Sequence, residues 1–542
     1  MIRQFTPERC QLYFSSLYEQ EIIVDPKANA DGQLVRDYMT HVKVFNKCYL
    51  DESNATMIEE QRRLSKSFVS SSNPSIPKIP DLTLTELEAK VFPWLSQKSP
   101  KYEYNNEEYT LFNSFEGSFL KSYQTKLSGK GIVVTISNTF GDDCIRLIHT
   151  LRFLNNTLPI QLIHTEAELS NEVKNQIKRA GTDPFHNYPQ QRITFVNVTP
   201  AIQEDYSKKF QGVANKILAT MFNSFEEMML IDADTVLAKA PETFFEMPKY
   251  RSSGTLFFRD RAVPEIRSRG SVKFFMKLMS SQADEILFGL NPATSKTLNL
   301  PFFSQRLNHM MESGVVLSNR NKHYGQPVIM ANMNFFSSIE SKLHGEKEMF
   351  WLSLAITGDE NFEFNTLPAA AIGEITPISE RGNDALKLES IKGKEVCSNH
   401  PAHINDADNH SLLWFNSGFK FCGRSDRVNL EHDFKKKLRF TRFTQLNDFK
   451  TFFETKLIIK TAIIPPPKVL TVPLHQLVSG EPSVAWRHMP EYCDGYTWCA
   501  YSSVGKARES KGEVGTIIEY SHEEVAYFKT LGDIWMSDFD YR

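Results

Sequence analysis

The 542-residue chain carries 62 Lys and Arg against 65 Asp and Glu, a formal net charge of −3, and so offers no general electrostatic attraction to nucleic acid or to an anionic membrane. Hydrophobic residues make up 41%, 40 residues are Phe, and Gly and Pro number 25 and 26; that composition excludes wholesale disorder, collagen and low-complexity architecture. At roughly 100–200 residues per domain, the length accommodates several structural units, or one large α/β domain with elaborations.

The opening MIRQFTPERCQLYF lacks the apolar run of a signal peptide, and no stretch approaches the roughly 20 apolar residues that span a bilayer, so taken alone the chain reads as soluble. Amphipathic spacing predicts helices near residues 8–21 and 33–50, and the breaker-rich run SSSNPSIPKIPD at 70–81 reads as a linker. Residues 1–128 are therefore expected to form a helical stem or cap. The character changes at Gly131. GIVVTIS is a short β-branched run, and the segment after it sets Cys144, Leu147, Ile148, Leu151 and Leu154 at helical spacing, with Asp142 and Asp143 in the first turn where the helix dipole favours acids. The pattern repeats with a strand at 160–164, a helix at 166–180 and a strand at 193–198. A further helix is expected to set Phe210, Val213, Ala214, Ile217, Leu218, Met221 and Phe222 on one face, ahead of a buried-type strand at 228–231. This alternation predicts an α/β domain over 129–425 with a doubly wound, mostly parallel sheet whose ligands lie beyond the carboxyl ends of the strands. The rhythm then fades, and residues 426–542 are read as a C-terminal elaboration packed on that domain.

Seven cysteines without a CxxC pair are too sparse for a disulfide scaffold, but the four from Cys397 onward permit one or two late disulfides. Glycosylation sequons at Asn54, Asn155, Asn197 and Asn409 permit a secretory setting without requiring one.

The strongest chemical signal is MMLIDADTV at 228–236, an apolar strand running directly into Asp232-Ala233-Asp234. Residues i and i+2 of an extended segment point the same way, so both carboxylates can meet one ligand, and paired hard oxygens suit Mn²⁺ or Mg²⁺, which would neutralise a diphosphate. The same triplet pattern at Asp406-Ala407-Asp408 and Asp538-Phe539-Asp540 follows no buried strand and is expected to be solvated charge. Lys209 and Lys216, seven residues apart, are expected to share a helix face from which a lysine could reach a phosphate or simply snorkel over the helix edge. Two further segments join polar residues to apolar strands: Glu312-Ser313-Gly314 before VVLS, and Gly358-Asp359-Glu360 after the expected strand at 350–356. Paired acids there could orient acceptor hydroxyls or stabilise positive charge at a reacting carbon, and could equally serve as helix-start residues. His400, His403 and His410 form a cluster from which one could complete a metal shell, although a polar loop needs no such role. Trp486, Tyr492, Tyr496, Trp498 and Tyr501 surround Cys493 and Cys499; aromatic faces can stack on sugars, but filling a small disulfide-closed core is the simpler account.

Taken together, NKILATMFNSFEEMMLIDADTV (215–236), GTLFFRDR (254–261), ESGVVLSN (312–319), GDENFEF (358–364) and LLWFNSGF (412–419) resemble the fungal Golgi α-1,3-mannosyltransferases. The resemblance implies a GT-A nucleotide-sugar fold, GDP-mannose as donor, Mn²⁺ as cofactor with Mg²⁺ as the substitute, and retaining transfer of mannose to an α-mannoside of N- or O-linked glycans. Carried onto this chain, it implies Asp232 and Asp234 as metal ligands with His403 or Asn416 completing the shell, Lys216, Asp232 and Ser313 as donor-binding residues, and Glu312, Asp359 and Glu360 as the catalytic acids. It also implies a Golgi-lumenal enzyme anchored by one N-terminal membrane segment, which is expected to be missing from this chain. Related signatures accompany α-1,2 linkage. Two rival readings remain: a haloacid-dehalogenase-like phosphatase, with Asp232 of DADTV as nucleophile, a Ser from LSN (317–319) and GDENFE as the late acidic motif, and a non-catalytic mannan-binding protein on the same fold.

Overall fold

A computed structural model describes residues 7–19, 32–51, 83–381 except 264, and 393–541 except 424–427, 438, 467–484, 504–513 and 540. The linker at 70–81, the sequon Asn54 and residue Asp540 lie outside the described residues. The strands in chain order are β1 (Lys101–Tyr104), β2 (Glu107–Tyr109), β3 (Lys130–Thr135), β4 (Ile160–His164), β5 (Ile193–Asn197), β6 (Glu227–Ile231), β7 (Val236–Leu237), β8 (Thr255–Arg259), β9 (Met311–Asn319), β10 (Phe364–Pro368), β11 (Ala370–Gly373), β12 (Glu395–Ser398), β13 (Pro401–Ile404), β14 (Leu412–Phe415), β15 (Thr461–Ile464), β16 (Trp486–Met489), β17 (Thr497–Tyr501) and β18 (Thr516–Glu519).

The main sheet has nine strands in the order β10-β8-β9-β6-β3-β4-β5-β1-β2. Its centre, β6-β3-β4-β5, is parallel, because these short apolar runs are buried on both faces and can be covered only by helices such as Gly141–Phe153, Asn171–Thr182 and Asn215–Phe222. β9 runs antiparallel between β6 and β8, and β10 is parallel to β8. The expected doubly wound α/β sheet is therefore present, with β9 reversed. As a result, the carboxyl ends of β3 to β6 and β8 share one edge with the amino end of β9.

A six-stranded sheet, β18-β15-β11-β13-β14-β7, and a three-stranded sheet, β12-β17-β16, complete the molecule. Chain order and sheet membership do not coincide at 128 or at 425: β1 pairs with β5, and β15 pairs with β11. The N-terminal helices Pro7–Glu19 and Gly32–Phe45 pack into the core of the main sheet, where the Tyr38 hydroxyl donates to Asn332 Oδ1 at 2.8 Å, and the Cys10–Cys48 disulfide ties the first to the turn Asn46–Leu50 that follows the second. The two late disulfides are Cys397–Cys499 and Cys422–Cys493.

Three local expectations change. The helix expected from residue 166 begins at Asn171, because the Ser170 hydroxyl accepts from Val173 N and caps it. The expected helix through Phe210 and Phe222 is split: two 3₁₀ segments, Glu204–Phe210 and Gly212–Ala214, the second opening on Gly212 at φ +62°, precede the α-helix Asn215–Phe222, and Val213 is 59% exposed. The run at 350–356 lies in a helix, Met349–Thr357, rather than a strand. Its residues are buried nearly all round, and a wholly buried helix has no polar face to give the 3.6-residue period away. Gly358 ends it at φ +79°, a left-handed cap.

Candidate active site

β6 leads its buried EMMLI run straight into the Asp232–Asp234 turn, which is fixed from three sides. Asp232 N donates to Gly314 O at 3.0 Å, Thr235 N donates back to Asp232 O at 3.0 Å, and Gly418 N donates to Asp234 O at 2.7 Å. The turn continues into β7, which pairs with β14 and so brings the loop after β14 over the two aspartates. Asn416 Oδ1 there accepts from the Thr235 hydroxyl at 3.3 Å. Gly314 is required by the close approach of this loop, since a Cβ at that position would lie 2.6 Å from the Trp414 ring.

Lys216, in the first turn of Asn215–Phe222, points its ammonium into this site. Nζ lies 2.8 Å from Asp232 Oδ1, 3.1 Å from Glu346 Oε1 and 3.0 Å from Ser313 Oγ, and the Ser313 hydroxyl donates to Glu346 Oε1 at 2.9 Å. Burial works against the lysine's charge, but Asp232 and Glu346 together hold its pKa above the ordinary range. Burial pushes the Asp232 carboxyl upward, with Lys216 opposing it. One ammonium thus serves two carboxylates, with Asp234 beside them.

A second network adjoins the first. Asp260, immediately after β8, accepts from Lys347 Nζ at 2.6 Å and lies 3.5 Å from Arg261 Nε. Burial opposes its ionisation, yet Lys347 and Arg261 hold its carboxyl well below the usual range. Glu312 pairs with Phe258 across the β8–β9 ladder, and its carboxyl is pushed upward by burial and then by Asp260. Glu348 fastens the start of β9, accepting from Met310 N at 2.6 Å and Met311 N at 3.1 Å. A groove of about 720 Å³, lined by Lys208, Lys209, Val213, Phe335 and His344, opens beside Glu346. Among the described residues, Asp232, Asp234, Asp260, Glu312 and Glu346 converge on the strand edge where ligands of open α/β sheets bind.

A sequence family described as "Mannosyltransferase putative" matches residues 129–405, about half of the chain. The chain is 49% identical over 520 residues to "Putative alpha-1,3-mannosyltransferase MNN14" of Candida albicans, covering 94% of this chain and 74% of that protein. It belongs to the fungal α-1,3-mannosyltransferase family. "Alpha-1,3-mannosyltransferase MNT2" of Saccharomyces cerevisiae is 28% identical over 431 residues, 76% of this chain and 70% of that protein. Among solved structures, the galactosyltransferase LgtC in complex with donor and acceptor sugar analogues matches at a TM-score of 0.28 and 11% identity over 42% of this chain and 70% of that chain. The assignment rests on the sequence relatives.

In this mannosyltransferase-family fold, Lys216, Asp232, Asp234, Glu312 and Ser313 come together as expected. Asp359 and Glu360 do not. They follow the helix Met349–Thr357 at the opposite end of the sheet, where Asp359 Oδ2 meets His323 Nδ1 at 2.7 Å and Glu360 Oε1 accepts from Thr294 N at 2.8 Å. His323 follows the far end of β9, about 20 Å along the strand from Ser313 at some 3.3 Å per residue. At the other end of the same helix, Glu346 lies against Lys216 and Ser313, while Glu348 is bonded to the start of β9. The acids EKE ahead of MFWLSLAI were the available signal. Asp260 and Arg261, within the recognised GTLFFRDR segment, were also missed as site residues.

His403 is not brought to the aspartates. Its ring stacks on Trp414 at 4.0 Å, burial lowers its pKa to about 3, and the charges it feels are Asp260 and Arg261. Asn416, bonded to Thr235, stands closer to the turn. Lys209 lies on the 3₁₀ segment Glu204–Phe210 and lines the groove rather than sharing a helix face with Lys216. Asp406 pairs with Lys249 and accepts from Thr366 N at 2.7 Å, so it braces a strand instead of standing in solvent. The phosphatase reading fails on geometry as well as family: Ser318 pairs with Met228, three residues before the end of β6 and about 13 Å below Asp232.

Proposed function

We propose that the chain is a retaining glycosyltransferase that moves mannose from GDP-mannose to an α-mannoside of N- or O-linked glycans and forms α-1,3 bonds. The observation that carries this reading is the convergence of Asp232 and Asp234 with Lys216, Glu312, Glu346 and Asp260 at one strand edge of a mannosyltransferase-family chain. A neutral glycan acceptor agrees with the near-zero net charge, since the donor's charge is then met locally.

Two carboxylates set i and i+2 on a strand end are hard oxygen donors, and the site already accepts a cation, the Lys216 ammonium, against Asp232. Asp232 and Asp234 are the residues that would hold Mn²⁺ or Mg²⁺, which when bound would neutralise the departing diphosphate. Lys216 and Ser313 bind the donor phosphates, and Lys216 keeps Asp232 aimed along the strand axis. Glu312 and Glu346 surround the transferred sugar and oppose positive charge at its anomeric carbon. Three disulfides among the described residues belong to an oxidising compartment, and the family relationship makes this a secretory-pathway enzyme. Residence in the Golgi lumen follows from the same reading; no helix of the described residues is long and apolar enough to cross a membrane. The test is transfer of mannose from GDP-mannose to α-mannobiose with Mn²⁺: a mannotriose product supports the proposal, and hydrolysis of simple phosphate esters without transfer defeats it.

A further inference from the structure

The C-terminal three-stranded sheet reaches the active site through Arg261. The Arg261 guanidinium lies over the Trp498 ring, 5.4 Å from its centroid, while Nε is 3.5 Å from Asp260 Oδ1. Trp498 is itself stacked on His488 at 4.6 Å, its partner across the β16–β17 ladder, and Ser398 flanks it from β12. The Cys397–Cys499 disulfide ties β12 to β17 directly beside this row. Two residues beyond Arg261, Val263 is buried among Ala371, Val396, Trp486 and Ala500, so the loop after β8 is docked on the C-terminal sheet.

Arg261 is thereby held at three places: its backbone N donates to Asp260 Oδ1, Nε faces the same carboxylate, and its plane is covered by Trp498. Its terminal Nη groups make no hydrogen bond among the described residues, and the side chain keeps 21% of its exposure. A pre-oriented fork with unused donors is built to bind something. An anion is disfavoured by the neighbouring Asp260 and Glu312 carboxylates, and the donor's diphosphate belongs to the Asp232, Asp234 and Lys216 side of the site. A pair of adjacent sugar hydroxyls fits instead, since each hydroxyl can accept from Arg261 and donate to Asp260.

We propose that Arg261 and Asp260 bind adjacent hydroxyls of the acceptor mannoside, and that Trp498 of the C-terminal sheet is the positioning residue that holds Arg261 for this task. This rests on the mannosyltransferase reading above. It makes the C-terminal sheet a determinant of acceptor recognition with no part in donor binding.

The experiment compares Arg261→Ala, Arg261→Lys, Trp498→Ala and Trp498→Phe with the unaltered chain. The acceptor KM for α-mannobiose and the KM for GDP-mannose are measured with Mn²⁺, and α-mannobiose binding is measured separately by saturation-transfer NMR. Arg261→Ala, Arg261→Lys and Trp498→Ala should raise the acceptor KM and weaken α-mannobiose binding about tenfold or more, with the GDP-mannose KM within about twofold, the size expected for losing hydrogen bonds from a charged donor. Trp498→Phe should restore most of the affinity, because a ring still covers the guanidinium. An unchanged acceptor KM, or an equal rise in both KM values, overturns the inference while leaving the transferase reading intact. An unaltered chain that transfers no mannose but binds α-mannobiose through Arg261 overturns the transferase reading alone; one that does neither overturns both.

Discussion

Lys216→Met gives the sharpest test of how the site is held together. Methionine keeps the apolar stem and removes the ammonium that sits 2.8 Å from Asp232 and 3.1 Å from Glu346. Breaking a buried pair from one side costs about 3–5 kcal/mol. An independent bound gives the same size: the Asp232 carboxyl, which burial already pushes upward, can escape by taking a proton, and doing so at pH 7 from an ordinary value near 3.9 costs about 4 kcal/mol. In the variant the folded-state pKa of Asp232 rises further above the unfolded one. The folded state then binds the extra proton, and stability falls as pH rises through the window above about 3.9. Urea unfolding should therefore show a loss of about 4 kcal/mol at pH 7 that shrinks by about 1.4 kcal/mol per unit toward pH 5. Lys216→Met combined with Asp232→Asn should recover most of the loss at pH 7. A loss below about 1 kcal/mol, the size of an exposed pair, or one that does not change with pH, would refute the shared-ammonium account.

Asp359→Asn and Glu360→Gln should leave mannose transfer within about twofold, with about 1 kcal/mol of stability lost in the first through its His323 contact, as read from kinetics and denaturant midpoints. His403→Phe should keep metal-dependent transfer and reduce acid sensitivity: a histidine held at about 3 contributes stability that is present above its unfolded value of 6.5 and lost as pH falls toward 3, at up to about 1.4 kcal/mol per unit. Unfolding curves between those pH values check this, and loss of metal-dependent transfer would restore His403 as a ligand. Replacing Cys422 and Cys493 by Ser opens a loop with a sequence separation of 71 residues and should cost about 4 kcal/mol by loop entropy, measured by thermal unfolding under non-reducing conditions.

The sequence made the central parallel strands legible because each is a short apolar run bounded by polar residues, and β6 carried its aspartates at the expected end. Lys216 was legible as a lysine near the aspartates, although not as the partner of Glu346. The reversed β9 was not foreseen, since its nine residues are buried at all but two positions and burial pattern alone does not report strand direction. The same ambiguity hid the helix Met349–Thr357, whose amino end, and not the Asp359 and Glu360 end, lies beside Lys216. β1 and β2 escaped notice because KYEY and EEY are polar edge strands with little apolar signal. The Cys10–Cys48 pairing and the contact between Arg261 and Trp498 join residues far apart in sequence, and no local pattern announces such a contact.

The central claim is that Asp232 and Asp234 support transfer of mannose from GDP-mannose. The chain and its Asp234→Asn variant should be incubated with GDP-mannose, Mn²⁺ and α-mannobiose, and the product's linkage determined. The account predicts an α-1,3-linked mannotriose from the unaltered chain, abolished by Asp234→Asn and by excess chelator. Full activity in the variant or in chelator, or no transfer by the unaltered chain, would contradict it.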